Sequence, residues 1–364
     1  MTEITSNTDA VLPISAARRV LLLTPSIGFG GGIERYAQTL ESAFATQGNR
    51  CHCFALRRAG PTAHARLLTQ SRKLLHTDRI PTRIVVLHRA LLPVAWLLNH
   101  EEYVSGISVL LHGSEVWRRG PHIRTHVENH ILRKPCVRVL AMSSFTAGSL
   151  AGICPATVLP SGMSKEWFHT LVAAGDARQK QCSGFRIVTA FRLPAWREKG
   201  LPELIDAIAA LGRSDIHLAV CGTGESPVDL QEMAAKRAWC TLHPGLSDGE
   251  LAHQLAAADL FVLATRTRTG RQACGEGFGL VLLEAQVAGT PVVGPAYGGS
   301  SDAYIDRVTG VAPVDETAGE LAKVLDNLLQ HPQDLKQMGV NAARWARKCF
   351  APECYAQLAV ARFL

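Results

Sequence analysis

Short apolar runs alternate with helix-patterned stretches from Val20 into the last third of the chain, and this alternation limits the sequence to one broad kind of fold. In the first half the runs fall at residues 20–24, 51–56, 84–87, 107–111, 137–141 and 157–159, with helix-compatible stretches at 33–46, 63–75, 91–98, 123–132 and 145–150. The second half repeats the rhythm, with runs at 185–190, 216–221, 260–264 and 291–294 and helical stretches near 201–211, 228–239, 251–257, 280–288 and 318–329. Strand and helix in regular turn build a mostly parallel sheet covered by helices on both faces. Residues 161–184 break the rhythm, and Thr309-Gly310 reads as a turn. The expected fold is α/β, with two doubly wound domains facing each other across a cleft. The expected division is a poorly ordered tail at 1–17, a first domain at 18–165, a linker at 166–184, a second domain at 185–340, and C-terminal helices at 341–364 that cross back to the first domain.

Composition narrows the class. Of 364 residues, 47% are hydrophobic and 19% charged, which excludes disordered, fibrous and multi-span membrane chains. Residues 1–10 carry acids and no apolar run, and Val20-Leu21-Leu22-Leu23 is too short to span a bilayer, so no signal peptide or membrane anchor is expected there. The 10 cysteines include no C-x-x-C pair, and Cys51-His52-Cys53 has no second cluster at ligand spacing. Inert thiols in a reducing cytosol, and no bound metal, are the expectation. Charge is uneven: residues 1–182 hold 21 Lys and Arg against 11 Asp and Glu, and residues 183–364 hold 17 against 20. A first half at +10 beside a second at −3 points to an anion at the first half, or simply to a basic surface.

Four segments carry chemistry. Residues 25–35, P-S-I-G-F-G-G-G-I-E-R, place glycines between a strand and a helix start, where backbone N–H groups can cradle an anion. The spacing is neither a dinucleotide fingerprint nor a P-loop, and a tight loop without a ligand is the competing reading. His112, at the end of the 107–111 strand and followed by Gly113, stands where a cleft histidine would donate to a substrate or shuttle a proton; a structural histidine is the alternative. The segment Arg192-Leu193-Pro194-Ala195-Trp196-Arg197-Glu198-Lys199-Gly200 sets three cations at the mouth of the second domain, either to clamp phosphate or as a solvated charge run. The strongest segment starts at Thr265. A polar loop with Arg266, Arg268 and Arg271 leads to Gly275-Glu276-Gly277-Phe278-Gly279 and then to an apolar helix holding Glu284.

Carboxylates do not belong against phosphate, so Glu276 and Glu284 suit sugar or ribose hydroxyls. Eight helical residues rise about 12 Å, whereas a glycosidase acid–base pair lies at most about 9.5 Å apart. Two hydroxyl-binding stations fit better than a hydrolase pair. The glycine-rich strand ends at Gly222 and Gly224, and at Leu246, can seat a base with backbone groups.

Base, ribose, diphosphate and hexose are the parts of a nucleoside diphosphate sugar. The G-G-x-E-R-like start, the cleft histidine, the R-L…K-G segment and E-G-F-G-L-V-x-L-E-A-x-x-x-G-x-P-V-V from Glu276 to Val293 occur in that order over nearly the whole chain. In these features the chain resembles the retaining glycosyltransferases of family 4, which have the two-Rossmann-domain GT-B architecture. The resemblance implies that Glu276 holds hydroxyls of the transferred sugar and Glu284 the ribose. It places Phe278, Gly279 and Leu280 at the diphosphate and sugar seat by their backbone, and Gly31 and Gly32 near the phosphates. It assigns Arg192 and Lys199 to the diphosphate clamp and His112 to the sugar and acceptor. It further implies no required metal or other cofactor. Phe191 stands where the family commonly has glycine, and the inserted Pro194-Ala195-Trp196 leaves Arg197 as a rival to Lys199.

GDP-mannose is the first expected donor, with UDP-glucose or UDP-N-acetylglucosamine and a soluble acceptor as the alternative. Arginines and a lysine between Arg57 and Arg89, next to the apolar stretch 91–98 with Trp96, suit an anionic membrane and a polyprenyl-diphosphate-linked glycan acceptor; a core helix at 91–98 is the other reading. Nucleic acid is not an expected partner, because aromatic interleaving and a recognisable module are missing.

Overall fold

The computed structural model describes residues 19–25, 32–58, 60–117, 122–178, 184–268 and 273–364. The expected tail, Gly31 and Arg271 lie outside them.

The first sheet has six parallel strands: β1 (Arg19–Pro25), β2 (Arg50–Leu56), β3 (Thr82–Val86), β4 (Val104–Leu111), β5 (Val137–Ala141) and β6 (Thr157–Val158), in the order β2-β1-β3-β4-β5-β6. The second also has six: β7 (Phe185–Arg192), β8 (Ile216–Thr223), β9 (Cys240–Pro244), β10 (Leu260–Val262), β11 (Val292–Val293) and β12 (Gly310–Val311), in the order β12-β11-β10-β7-β8-β9. The continuous apolar runs follow from burial on both faces. In β1, Val20 and Leu22 pack with Tyr36, Leu40 and Phe44 of the helix Gly32–Thr46, while Leu21 and Leu23 pack with Leu67 and Leu75 of the helix Pro61–Asp78 on the other face. The strand order reverses between β1 and β3 in the first sheet and between β7 and β10 in the second. Open α/β sheets bind ligands beyond the strand ends at these reversals.

The turn read at 309–310 is present, with Thr309 closing it and Gly310 opening β12. Several local expectations change. The stretch read as linker holds the helix Lys165–Asp176, which packs on the helices Asp248–Ala257 and Leu280–Val287 of the second sheet. Residues 91–98 form the short helix Leu92–Leu98, whose Leu92, Val94, Ala95 and Leu98 are buried; Leu97 is the exposed apolar exception. That stretch is core, not a membrane face. The helix Pro332–Cys349 runs through the 340/341 boundary, and the last helix, Pro352–Phe363, lies against Gly32–Thr46. There the Tyr36 and Tyr355 hydroxyls share a hydrogen bond and Ser108 Oγ donates to the Phe363 carbonyl at 2.6 Å. The chain terminus thereby ties the first sheet to the rest of the molecule.

Candidate active site

The strand-order reversal of the second sheet and the segments after β3 and β4 of the first open on one cavity of about 750 Å³, walled by both halves of the chain. On the second-domain side, β7 ends at Arg192, the turn Leu193–Ala195 follows, and Lys199 and Gly200 bring the backbone back to the end of β10. Gly200 has φ +69°, and a Cβ there would sit 1.9 Å from the Ala264 carbonyl oxygen. Only glycine allows this approach, and the approach puts Lys199 on the cavity wall beside Arg192 and Thr265.

Lys199 Nζ lies 2.8 Å from Glu276 Oε2, and Thr265 Oγ1 donates to the same oxygen at 3.0 Å. Glu276 is therefore anchored behind the wall by two partners. Among the described residues no carboxylate pairs with Arg192, which leaves its fork open to an anion. Gly279, at φ +78°, caps the helix Leu280–Val287. Phe278 is buried against Phe350, so its side chain is core and only its backbone could face a ligand; Leu280 also packs against that core. Glu284 is 6% exposed and accepts from Trp167 Nε1 at 2.8 Å. Burial raises its pKa, against the opposing effects of the Trp167 hydrogen bond and the Arg35 charge.

The first-domain wall comes from the segment after β3 and from the helix His122–Leu132: His88, Arg89, Arg124, Thr125 and Glu128 line it, with Glu115. Arg89 is buried and bound to Glu128 at 2.5 Å and to Asn129 Oδ1 at 2.6 Å. It belongs to this wall and not to a surface patch. His112 follows β4; its backbone N–H donates to Glu115 Oε1 at 2.7 Å, and its ring meets Tyr36 edge-on. Burial lowers its pKa and favours the neutral ring, against the opposing charge of Glu115. Its Nε2 is buried without a hydrogen-bond partner among the described residues. The two domains touch here: a Cβ on Gly277 would come within 1.8 Å of the His112 carbonyl oxygen. Ser144 N and Oγ both donate to Asp302, each at 2.6 Å.

Not every residue singled out in the sequence reaches this cavity. Arg197 stacks on Trp196, 4.0 Å from its ring, and pairs with Asp229 on the outer surface; it leaves the wall to Lys199. Arg266 pairs with Glu203 at 2.6 Å, and Arg268 pairs with Cys274 in an antiparallel bridge that folds the loop on itself. Ala273, Cys274 and Gly275 of that loop line the cavity, not the two arginines. Gly222 and Gly224 end β8; a Cβ on Gly222 would lie 2.2 Å from the Phe191 carbonyl oxygen, a tight strand junction that explains the glycine without a ligand. Leu246 is partly buried against the core shared by the two domains, and Gly32 opens its helix exposed. Sequence reading missed His88, Arg124, Thr125 and Glu128 as site residues; no motif marks them, and only the packing of the segment after β3 and of His122–Leu132 against the cleft brings them in. Trp167 was missed for the same reason.

The profile of the family described as Glycosyl transferases group 1 matches residues 189–345. The chain is 33% identical over 153 residues to a GDP-mannose-dependent alpha-(1-6)-phosphatidylinositol monomannoside mannosyltransferase of Mycolicibacterium smegmatis, covering 41% of this chain and 40% of that one. It is 34% identical over 173 residues to a D-inositol 3-phosphate glycosyltransferase of an Arthrobacter species, covering 45% and 38%. The match spans less than half the length of these curated relatives. Among solved structures, Anabaena HepE in complex with UDP superposes with a TM-score of 0.72 at 18% identity, over 94% of this chain and 98% of that one. The molecule therefore has the two-domain GT-B fold, and residues 189–345 of its second domain are similar to the group 1 glycosyl transferases.

Proposed function

We propose that the protein is an anomer-retaining glycosyltransferase that moves a hexose from a nucleoside diphosphate sugar, GDP-mannose first, to a lipid-linked or glycan acceptor. The observation that carries this reading is the grouping of Arg192, Lys199, Thr265 and Glu276 at the strand-order reversal of the second sheet, opposite the His88 and Arg124 wall. Arg192 and Lys199 take the charge that grows on the leaving diphosphate, as cations already fixed in place before the reaction. Glu276 accepts from hydroxyls of the transferred sugar, and Glu284 from the ribose. His112, neutral and with Nε2 unpartnered, lies next to the sugar seat. Side chains carry the leaving-group charge, so no bound metal is required. GDP-mannose leads because a curated relative is named for that donor.

A panel of GDP- and UDP-sugars, scored by protection against thermal unfolding and by transfer, tests the reading. GDP-mannose is expected to protect most. Protection by a UDP-sugar alone would move the donor assignment, and protection by none would remove the nucleotide-sugar reading.

For the acceptor we propose a lipid carrier on an anionic membrane, met by the first domain. The support is its excess of cations, with Arg66 and Lys73 exposed on the helix Pro61–Asp78 beside Arg72, which pairs with Glu101 at 2.7 Å, and Ile123 and Val127 exposed on the helix His122–Leu132 of the same sheet face. Among the described residues no helix is long and apolar enough to cross a membrane. Reversing the three charges (Arg66→Glu, Arg72→Glu, Lys73→Glu) is expected to abolish sedimentation with phosphatidylglycerol vesicles, since each cation contributes about 1 kcal/mol. Retained, salt-sensitive binding would reject the membrane surface.

A further inference from the structure

A carboxylate taken out of water needs donors, and a buried one without them is costly. Glu284, on the helix Leu280–Val287, is such a group. Among the described residues its hydrogen bond comes from Trp167, 117 positions earlier in the chain. Trp167 sits in the first turn of the helix Lys165–Asp176, whose start is set by Ser164 Oγ accepting from the Trp167 backbone N–H at 3.2 Å. The Arg35 guanidinium stands 5.7 Å from the centre of its ring, and Arg35 pairs with Asp248 of the second domain at 2.6 Å. The indole is thus held by the helix that joins the domains and approached by a cation from the first domain.

An indole N–H donates and cannot accept. It occupies Glu284 Oε1 and stops the carboxylate from turning, while Oε2 has no hydrogen-bond donor among the described residues. A ribose presents two adjacent hydroxyl donors, which is the partner such an oxygen lacks. We propose that Trp167 is a positioning residue for the donor nucleotide: its indole N–H fixes Glu284 so that the free carboxylate oxygen receives the ribose hydroxyls. This rests on Glu284 being the ribose contact. Burial favours the neutral acid at this position, and the indole hydrogen bond and the Arg35 charge oppose that tendency without reversing it. Because Trp167 belongs to the shared core, a purely structural role is the alternative that the test must separate.

The test compares binding of GDP and 2′,3′-dideoxy-GDP by calorimetry, with the UDP pair in parallel. The unmutated protein is expected to prefer the ribose form by at least about tenfold. Trp167→Phe keeps an aromatic ring and deletes the N–H; GDP binding is expected to weaken about tenfold, the scale of a hydrogen bond to a charged group, while dideoxy-GDP binding stays unchanged. Benzothienylalanine at position 167, which puts sulfur in place of the N–H in the same outline, is expected to match the phenylalanine variant and so removes misfolding as the cause. A structural role would weaken both nucleotides alike. Variants that keep the full ribose preference, or lose both ligands equally, overturn the proposal. An unmutated protein that binds GDP or UDP but ignores loss of the ribose hydroxyls overturns the ribose reading of Glu284 and the Trp167 proposal with it. Binding of neither nucleotide overturns the donor assignment beneath both.

Discussion

Glu276→Gln is expected to lower kcat/KM for sugar transfer by about a hundredfold to a thousandfold, the range seen when one preorganised polar contact to a transition state is lost. Glutamine keeps the shape but surrenders the charge that Lys199 and Thr265 now hold from either side. The sugar loses a charged acceptor for its hydroxyls. Lys199 is released from its ion pair and becomes wholly available to the diphosphate, so the nucleoside diphosphate product should bind as tightly as before or tighter. A large fall in kcat with undiminished product affinity is the expected pattern. The fold should be unaffected, because a partly exposed ion pair of this kind contributes little to stability. Steady-state kinetics and calorimetry check both halves; turnover near that of the unmutated protein rejects the role of Glu276.

Gly200→Ala is expected to lower Tm by about 10 °C. The substitution combines a positive φ with a Cβ placed 1.9 Å from a backbone oxygen that cannot move aside without disturbing β10. Strain of this kind costs about 1–3 kcal/mol, and overpacking costs about as much again. For a domain of this size each kcal/mol moves Tm by about 2–4 °C. Melting followed by circular dichroism reads the shift. A Tm within a degree or two of the unmutated protein would mean that the Lys199-Gly200 turn is not pinned against the end of β10, and the placement of Lys199 on the wall would fail with it.

The two predictions meet at one turn, and that turn shows where reading the sequence stops. Arg192, Arg197 and Lys199 were all legible as cations after the first strand of the second domain. Which two face the cavity was not. The backbone path through Leu193–Ala195 and back at Gly200 turns Lys199 inward and leaves Arg197 stacked on Trp196. The loop arginines behave alike: Arg266 was legible only as a cation of a polar loop, and it is bound by Glu203, 63 positions away. Arg89 counted towards a basic surface, yet it is buried with Glu128.

What the sequence determined by itself is local or periodic. Continuous apolar runs require strands buried on both faces, glycines after strand ends require close backbone turns, and the Glu276-to-Val293 segment has a spacing specific enough to mark the half that matches the group 1 glycosyl transferases. What only the tertiary structure decided is pairing between distant segments: the strand orders that locate the two reversals, the crossing of the last helix back to Tyr36, the first-domain wall of His88 and Arg124, and the hold of Trp167 on Glu284. The physical reason is that periodicity reports only whether a side chain is buried. The partner that satisfies a buried charge, phenol or indole is set by packing across the sheets: Arg89 and Glu128 lie 39 residues apart, Trp167 and Glu284 117, and Tyr36 and Tyr355 319.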